Sequence, residues 1–156
     1  MNQQRRSFLR NTFTGSLVAV SVASGLLTPS RVLAAWPKAA FDSSSVKDAM
    51  VGLLGSDQYE KSAAISLRTP DIAENGTVVP VTVKTKLPGV ETISVFALEN
   101  ARPLCISADL SAKSRAVLAT RIKLGKTSKV VTVVKANGKL YGASKTVKVT
   151  LGGCGG

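Results

Sequence analysis

Hydrophobic residues recur along this chain with two different periods. Between Ala39 and Leu54, the residues Val46, Ala49, Met50, Leu53 and Leu54 share one face of a 3.6-residue turn, which predicts a helix. Ser43 to Ser45 offer an N-cap and Gly55 a stop. A second short turn is expected from Asp57 to Ala64. Beyond it the pattern alternates. Val78 to Thr85, Glu91 to Leu98, Leu104 to Ala108, Val117 to Leu124, Lys129 to Lys135 and Leu140 to Leu151 read as strands, with Ile65 to Leu67 as a short first one. Pro88-Gly89 and Asn137-Gly138 supply turns, and Asn-Gly between alternating runs is a strong hairpin signal. Pro80 inside a strand points to an edge or a bulge, because proline cannot donate to the ladder.

About seven short strands over about ninety residues, entered from an N-terminal α-helix, predict a mainly β fold of the immunoglobulin-like sandwich type. Two segments break the alternation. Thr77 to Val83 and Val130 to Val134 are apolar on both faces, whereas a lone small sandwich leaves one face of each sheet wet. An outer face is therefore expected to be covered, by the N-terminal helix or by another subunit. The last strand alternates cleanly, and the expectation is Val147, Val149 and Leu151 inward with Lys145, Lys148 and Thr150 outward. The organisation expected is an export signal over 1–34, a helical segment over 35–64, the sandwich over 65–151 and an arm over 152–156.

The first residues change the picture of where the chain works. Gln4-Arg5-Arg6-Ser7-Phe8-Leu9-Arg10 is similar to the twin-arginine motif of the Tat export pathway. The apolar stretch from Thr12 to Leu27 is diluted by Gly15, Ser16, Ser21, Ser24 and Gly25, and is too short and polar to span a membrane. Val32 and Ala34 are small residues at the two positions a signal peptidase reads, so cleavage is expected after Ala34. A periplasmic protein without membrane insertion would result.

Charge narrows the partners. The whole chain has 21 Lys+Arg against 9 Asp+Glu; removing 34 residues that hold four Arg and no acid leaves 122 residues of net charge +8. Ten Lys or Arg lie between Lys113 and Lys148, with no acid after Asp109. Such a surface favours anionic ligands or an acidic partner. Export, and the lack of aromatic stacking residues among the basic segments, argue against nucleic acid. The chain has no histidine, which removes Ser-His-Asp and Cys-His nucleophile pairs, most zinc sites and the C-x-x-C-H haem attachment. No phosphate-binding glycine loop is present. Neither a catalytic residue, a metal site nor a cofactor is expected.

The candidate chemistry lies at the end of the chain, Leu151-Gly152-Gly153-Cys154-Gly155-Gly156. Glycine loses the most backbone freedom on ordering, so Gly152, Gly153, Gly155 and Gly156 read as a flexible arm that presents one thiol. Several readings of Cys154 stand side by side. Exported proteins oxidise paired cysteines, which allows a disulfide with Cys105. A lipid anchor fails, because Cys154 is third from the end rather than fourth. A metal lacks other soft ligands nearby. A terminal Gly155-Gly156 that acts through its carboxylate fits cytosolic sulfur carriers, not an exported sandwich. The last reading is a covalent carrier: the five-residue tail extends roughly 17 Å at about 3.4 Å per residue, and without flanking side chains it can thread a narrow channel. An exposed thiol titrates near about 8.5; Lys145 and Lys148 favour its thiolate while the chain's own carboxylate opposes them. An exposed arm thiol also allows a Cys154–Cys154 disulfide between two copies. Cys105, on the apolar strand Pro103-Leu104-Cys105-Ile106, reads as a core residue, with a disulfide to a partner chain as the sharper alternative.

Val147-Lys148-Val149-Thr150-Leu151-Gly152-Gly153-Cys154-Gly155-Gly156 resembles the carboxyl terminus of the SoxY family, the sulfur carriers of bacterial thiosulfate oxidation. Thr120-Arg121-Ile122-Lys123-Leu124 and Ser128-Lys129-Val130 extend the match, while Asn100-Ala101-Arg102-Pro103 departs from the family's Asn-Pro-x-Pro. The resemblance implies an immunoglobulin-like fold, a heterodimer with a SoxZ-like subunit and sulfur intermediates held covalently on Cys154. It also implies three transient partners: the cytochrome SoxAX, the hydrolase SoxB and, where present, SoxCD. On this reading Lys145 and Lys148 would stabilise an anionic adduct by charge. The opposing class is an exported immunoglobulin-like binding module that takes anionic ligands on its basic face and leaves Cys154 idle.

Overall fold

Alternating apolar residues fold this chain into two sheets packed face to face. The computed structural model describes residues 37–150. The expected signal and cleavage site, Leu151, Gly152, Gly153, Cys154, Gly155 and Gly156 lie outside the described residues.

The expected single helix is two. Helix α1 (Lys38–Asp42) stops at Ser43, whose ψ of 136° is extended, and α2 (Val46–Leu54) begins after Ser45. The serines cause the break. Ser43 Oγ accepts from Ser45 N and donates to Ser45 O, and Ser45 Oγ accepts from Asp48 N at 3.3 Å as the N-cap of α2. Gly55, at φ 81°, closes α2.

Nine strands follow among the described residues, rather than about seven: β1 (Glu60–Lys61), β2 (Ile65–Arg68), β3 (Ile72–Ala73), β4 (Val79–Thr85), β5 (Val90–Ala97), β6 (Leu104–Asp109), β7 (Val117–Ile122), β8 (Ser128–Ala136) and β9 (Lys139–Val149). The additional strands are the two-residue β1 and β3. Each runs parallel to β9 along the edge that β8 leaves open, β1 at Tyr141–Gly142 and β3 at Lys148–Val149. One sheet has the order β1-β9-β8-β5-β6 with β3 also on β9, and the other is β2-β4-β7. β1 falls where a turn was expected, because a two-residue pairing leaves no periodic signal. The β8–β9 hairpin turns on Asn137 (φ 50°) and Gly138 (φ 73°), the paired positive φ of a type I′ turn.

Between the sheets lie Val79, Val81 and Val83 of β4, Ile93 and Val95 of β5, Val130 and Val134 of β8, and Val147 of β9. Each buried branched side chain contributes roughly 1.5–3 kcal/mol relative to exposure. The opposite face of the larger sheet is also buried. Phe96, Leu104, Val131 and Val133 pack there against Ala40, Ala49 and Met50 of the helices. Val130 to Val134 are therefore apolar on both faces because α1 and α2 cover one of them. The second two-faced segment fares differently. Pro80 and Lys84 point to solvent beside a half-buried Thr82, and Val78 is 52% exposed. Pro80 sits in the central strand of its sheet, yet β2 pairs with β4 only from Thr82 to Thr85. At Pro80, β4 is locally an edge, and the missing N–H has no ladder partner to lose.

Candidate functional site

Strand β9 leads toward Cys154, so the described structure meets the expected site at the root of the arm. Successive backbone donors of a strand point to opposite edges, and each donor here finds an acceptor. Lys148 N donates to Asp71 O at 2.8 Å and Thr150 N to Ala73 O at 3.1 Å, both on the β3 side. On the other side, where β8 pairs no further than Ser128, Val149 N donates to Thr127 Oγ1 at 3.0 Å. Thr127 thus extends the β8 ladder by one bond with its side chain.

A third layer closes over these bonds. Leu124 N donates to Gly76 O at 2.7 Å. A Cβ on Gly76 would collide with the Leu124 carbonyl oxygen and lie 2.9 Å from Val149 Cγ1, so this crossing requires glycine. Asn100 then ties the β5–β6 loop to the β7–β8 loop. Its Nδ2 donates to Lys123 O at 2.7 Å and its Oδ1 accepts from Gly125 N at 3.1 Å. Glu99 adds an exposed ion pair with Lys126 at 3.1 Å, worth little by itself, and its N–H donates to Ser128 Oγ. The last described residues of the chain are held on both edges and from above.

The two lysines expected to share an outward face do not share one. With a period of two, positions 145, 147 and 149 lie on the same side. Lys145 therefore sits on the face of Val147 and Val149, half-buried at the open flank of the sandwich. Its Nζ donates to Thr69 O at 2.8 Å and pairs with Asp71 at 3.0 Å. The expectation of Lys145 outward is corrected on this ground: it faces inward, where its bonds to Thr69 O and Asp71 staple the β2–β3 connection to β9. Lys148 is exposed on the opposite face, as expected, and no carboxylate pairs with it among the described residues.

Cys105 carries a free thiol, half-buried on β6 and packed against the inter-sheet core. Burial pushes its pKa up, opposed by backbone contact at Ala97 and by Asn100, whose Nδ2 lies 3.9 Å from Sγ. The protonated form is favoured, and that form is neither nucleophile nor metal ligand. Among the described residues no three His, Cys, Asp or Glu side chains gather as a metal site. No described helix is long and apolar enough to cross a membrane.

Sequence reasoning found the strand but missed Thr127, Gly76 and Asn100. Gly76 had a local signal, a glycine after Asn75 just before a strand. Asn100 stood in a quoted loop without a role, and Thr127 had no signal, because its partner lies 22 residues away.

A family model described as "Sulfur oxidation protein SoxY" matches residues 51–154. The sulfur carrier protein SoxY from Chlorobium limicola f thiosulfatophilum is 42% identical, with a TM-score of 0.62, over 69% of this chain and 98% of that one. A superoxide reductase (neelaredoxin) from Ignicoccus hospitalis has a TM-score of 0.50 at 17% identity, over 56% of this chain and 80% of its own, and shares the fold alone. No curated protein sequence matches the chain.

Proposed function

Because this chain belongs to the SoxY family of sulfur oxidation proteins, we propose that it carries thiosulfate-derived sulfur covalently on Cys154 and presents it to separate enzymes. One observation carries the reading: the family match runs through the sandwich and ends on Cys154. The anchored end of β9 supports it, since a rigid root makes the position of the thiol depend on the last few residues alone. The protonated, half-buried Cys105 supports it too, because it leaves Cys154 as the nucleophile.

The chemistry balances as follows. The Cys154 thiolate and thiosulfate give the S-thiosulfonate with the loss of two electrons to a c-type cytochrome of the SoxAX kind. Water then releases sulfate and two protons from the terminal sulfonate in a SoxB-like hydrolase, which leaves a persulfide anion on Cys154. A SoxCD-like enzyme, where present, oxidises that sulfane sulfur. A SoxZ-like subunit is the stable partner, and two idle copies pair through Cys154. The carrier acts in the periplasm after Tat export and cleavage behind Ala34. No step requires a cofactor on this chain.

Intact mass tests the reading. The mature protein is taken from cells growing on thiosulfate, with and without reductant, beside Cys154→Ser. A gain of one S2O3 unit or of sulfur atoms, lost with reductant and with the substitution, is expected. An unmodified mass under all conditions overturns it. The same spectra report whether the chain begins after Ala34.

A further inference from the structure

The two sheets differ in what covers them. Helices α1 and α2 lie on the outer face of the larger sheet, whereas the outer face of β2-β4-β7 is bare among the described residues. We propose that this bare face docks a partner protein whose own surface sets carboxylates beside exposed apolar side chains.

The register gives the face its layout. Thr82 lies opposite Ala119 and Pro80 opposite Arg121, while Lys84 lies opposite Val117 on one side and Ser66 on the other. Arg68 lies opposite Thr82 on the remaining side. Small residues thus form the middle, with cations at three corners. Beside Thr82 and Ala119 lies a depression of about 470 Å³ lined by Pro80, Thr82, Ala119, Thr120 and the corner residue Arg121, so its wall is polar as well as apolar. At its ends Val78 is 52% and Val117 42% exposed, two of the large apolar side chains this fold leaves to solvent. A face that mixes exposed apolar side chains with arginine and lysine has the composition of a protein interface.

Charge chooses the occupant. The three strands contain no Asp or Glu, and Arg68, Lys84 and Arg121 have no ion-pair partner among the described residues. Five other basic residues do: Lys47, Arg102, Lys126, Lys135 and Lys145 each sit within 4 Å of a carboxylate. A second copy docked about a two-fold axis would bring these unpaired cations against their own images, which is repulsive. A sulfated polymer would neutralise the cations yet leave Val78, Ala119 and Val117 facing water. A protein with carboxylates beside exposed apolar side chains satisfies both parts. The inference deepens the carrier reading by giving a partner its place, but it stands apart from the chemistry at Cys154.

The test places p-benzoylphenylalanine, a photo-cross-linker, at Ala119 in the full chain in cells oxidising thiosulfate. A second probe at Ser66 on the rim covers the case in which a bulky group at the centre blocks docking. A third at Ser144, exposed on the other sheet, is the control. The expected result is a cross-link at Ala119 or Ser66, absent at Ser144, to one protein other than this chain, through a peptide holding both acidic and apolar residues. Combining either probe with Arg68→Glu and Arg121→Glu should cut the yield about ten-fold at low salt and less at high salt. A cross-link to a second copy, no protein cross-link at either position, equal capture from Ser144, or yields indifferent to charge reversal each overturn the proposal. Intact mass from the same cells separates the two readings: Cys154 adducts without the cross-link defeat the surface alone, and the cross-link without adducts defeats the carrier alone.

Discussion

Replacing Gly76 with alanine puts one methyl group into the crossing that holds the end of β9. The new Cβ would meet the Leu124 carbonyl oxygen and stand 2.9 Å from Val149 Cγ1, with backbone on one side and a packed side chain on the other. Relief requires the 74–77 loop to move outward, which stretches the 2.7 Å bond from Leu124 N to Gly76 O. Overpacking costs about 1–3 kcal/mol, and the weakened hydrogen bond about 1 kcal/mol more. The sum, about 2–4 kcal/mol, is a large part of the ~5–15 kcal/mol that holds a domain together. For a chain of this size the melting temperature should fall by about 6–20 °C. A far-UV circular dichroism melt reads the loss, and hydrogen exchange at the Val149 and Thr150 amides reads its location. Gly52→Ala is the matched control. Its Cβ would meet Ala40 Cβ at 3.7 Å, an ordinary contact at an exposed position of α2, so alanine should stabilise that helix by about 0.5–1 kcal/mol. A melting temperature for Gly76→Ala within about 2 °C of the parent, with unchanged exchange at Thr150, would refute the clamp.

Three further expectations concern other parts of the molecule. Phe96→Ala empties the centre of the helix–sheet layer, where Phe96 is fully buried, and should cost about 3–5 kcal/mol in urea unfolding; a loss below about 1 kcal/mol would mean the helices do not seal that face. For Cys105, burial raises the pKa from 9.0. Its contribution to stability is therefore complete below pH 9.0 and is lost as pH rises from there through the higher folded value, because the unfolded chain ionises first. Cys105→Ala should flatten the alkaline fall in stability, and in the native protein an alkylating reagent should modify Cys154 well before Cys105. Lys145→Met should cost about 1 kcal/mol of stability through the lost bond to Thr69 O. Lys148→Met should leave stability within about 0.5 kcal/mol and instead change the lifetime or handover of the sulfonate adduct at low salt; the opposite split would return the adduct role to Lys145.

Much of this protein was legible in its order of residues. Period-two alternation marked the long strands, because each side of a sheet strand meets one environment. Asn137-Gly138 marked its hairpin, because few other residues accept two consecutive positive φ values. The thiol between glycine pairs drew attention to the end of the chain without any contact information. The face of Lys145 was also written in the same period, since it shares parity with Val147.

The tertiary structure decided what depends on residues far apart in the chain. Apolar residues on both faces of β8 and of β4 looked alike in sequence, yet α1 and α2 cover one and leave the other bare. Nothing local could separate them, because the covering side chains of Ala49 and Met50 arrive from far upstream. The two-residue strands β1 and β3 exist only because β9 offers them an open edge. Thr127, Asn100 and Gly76 became anchors of the end of β9 and the loops over it through bonds that span loops, where periodicity carries no information. Hydrophobic pattern dictates which side of an element is buried, and only the packed fold determines by what.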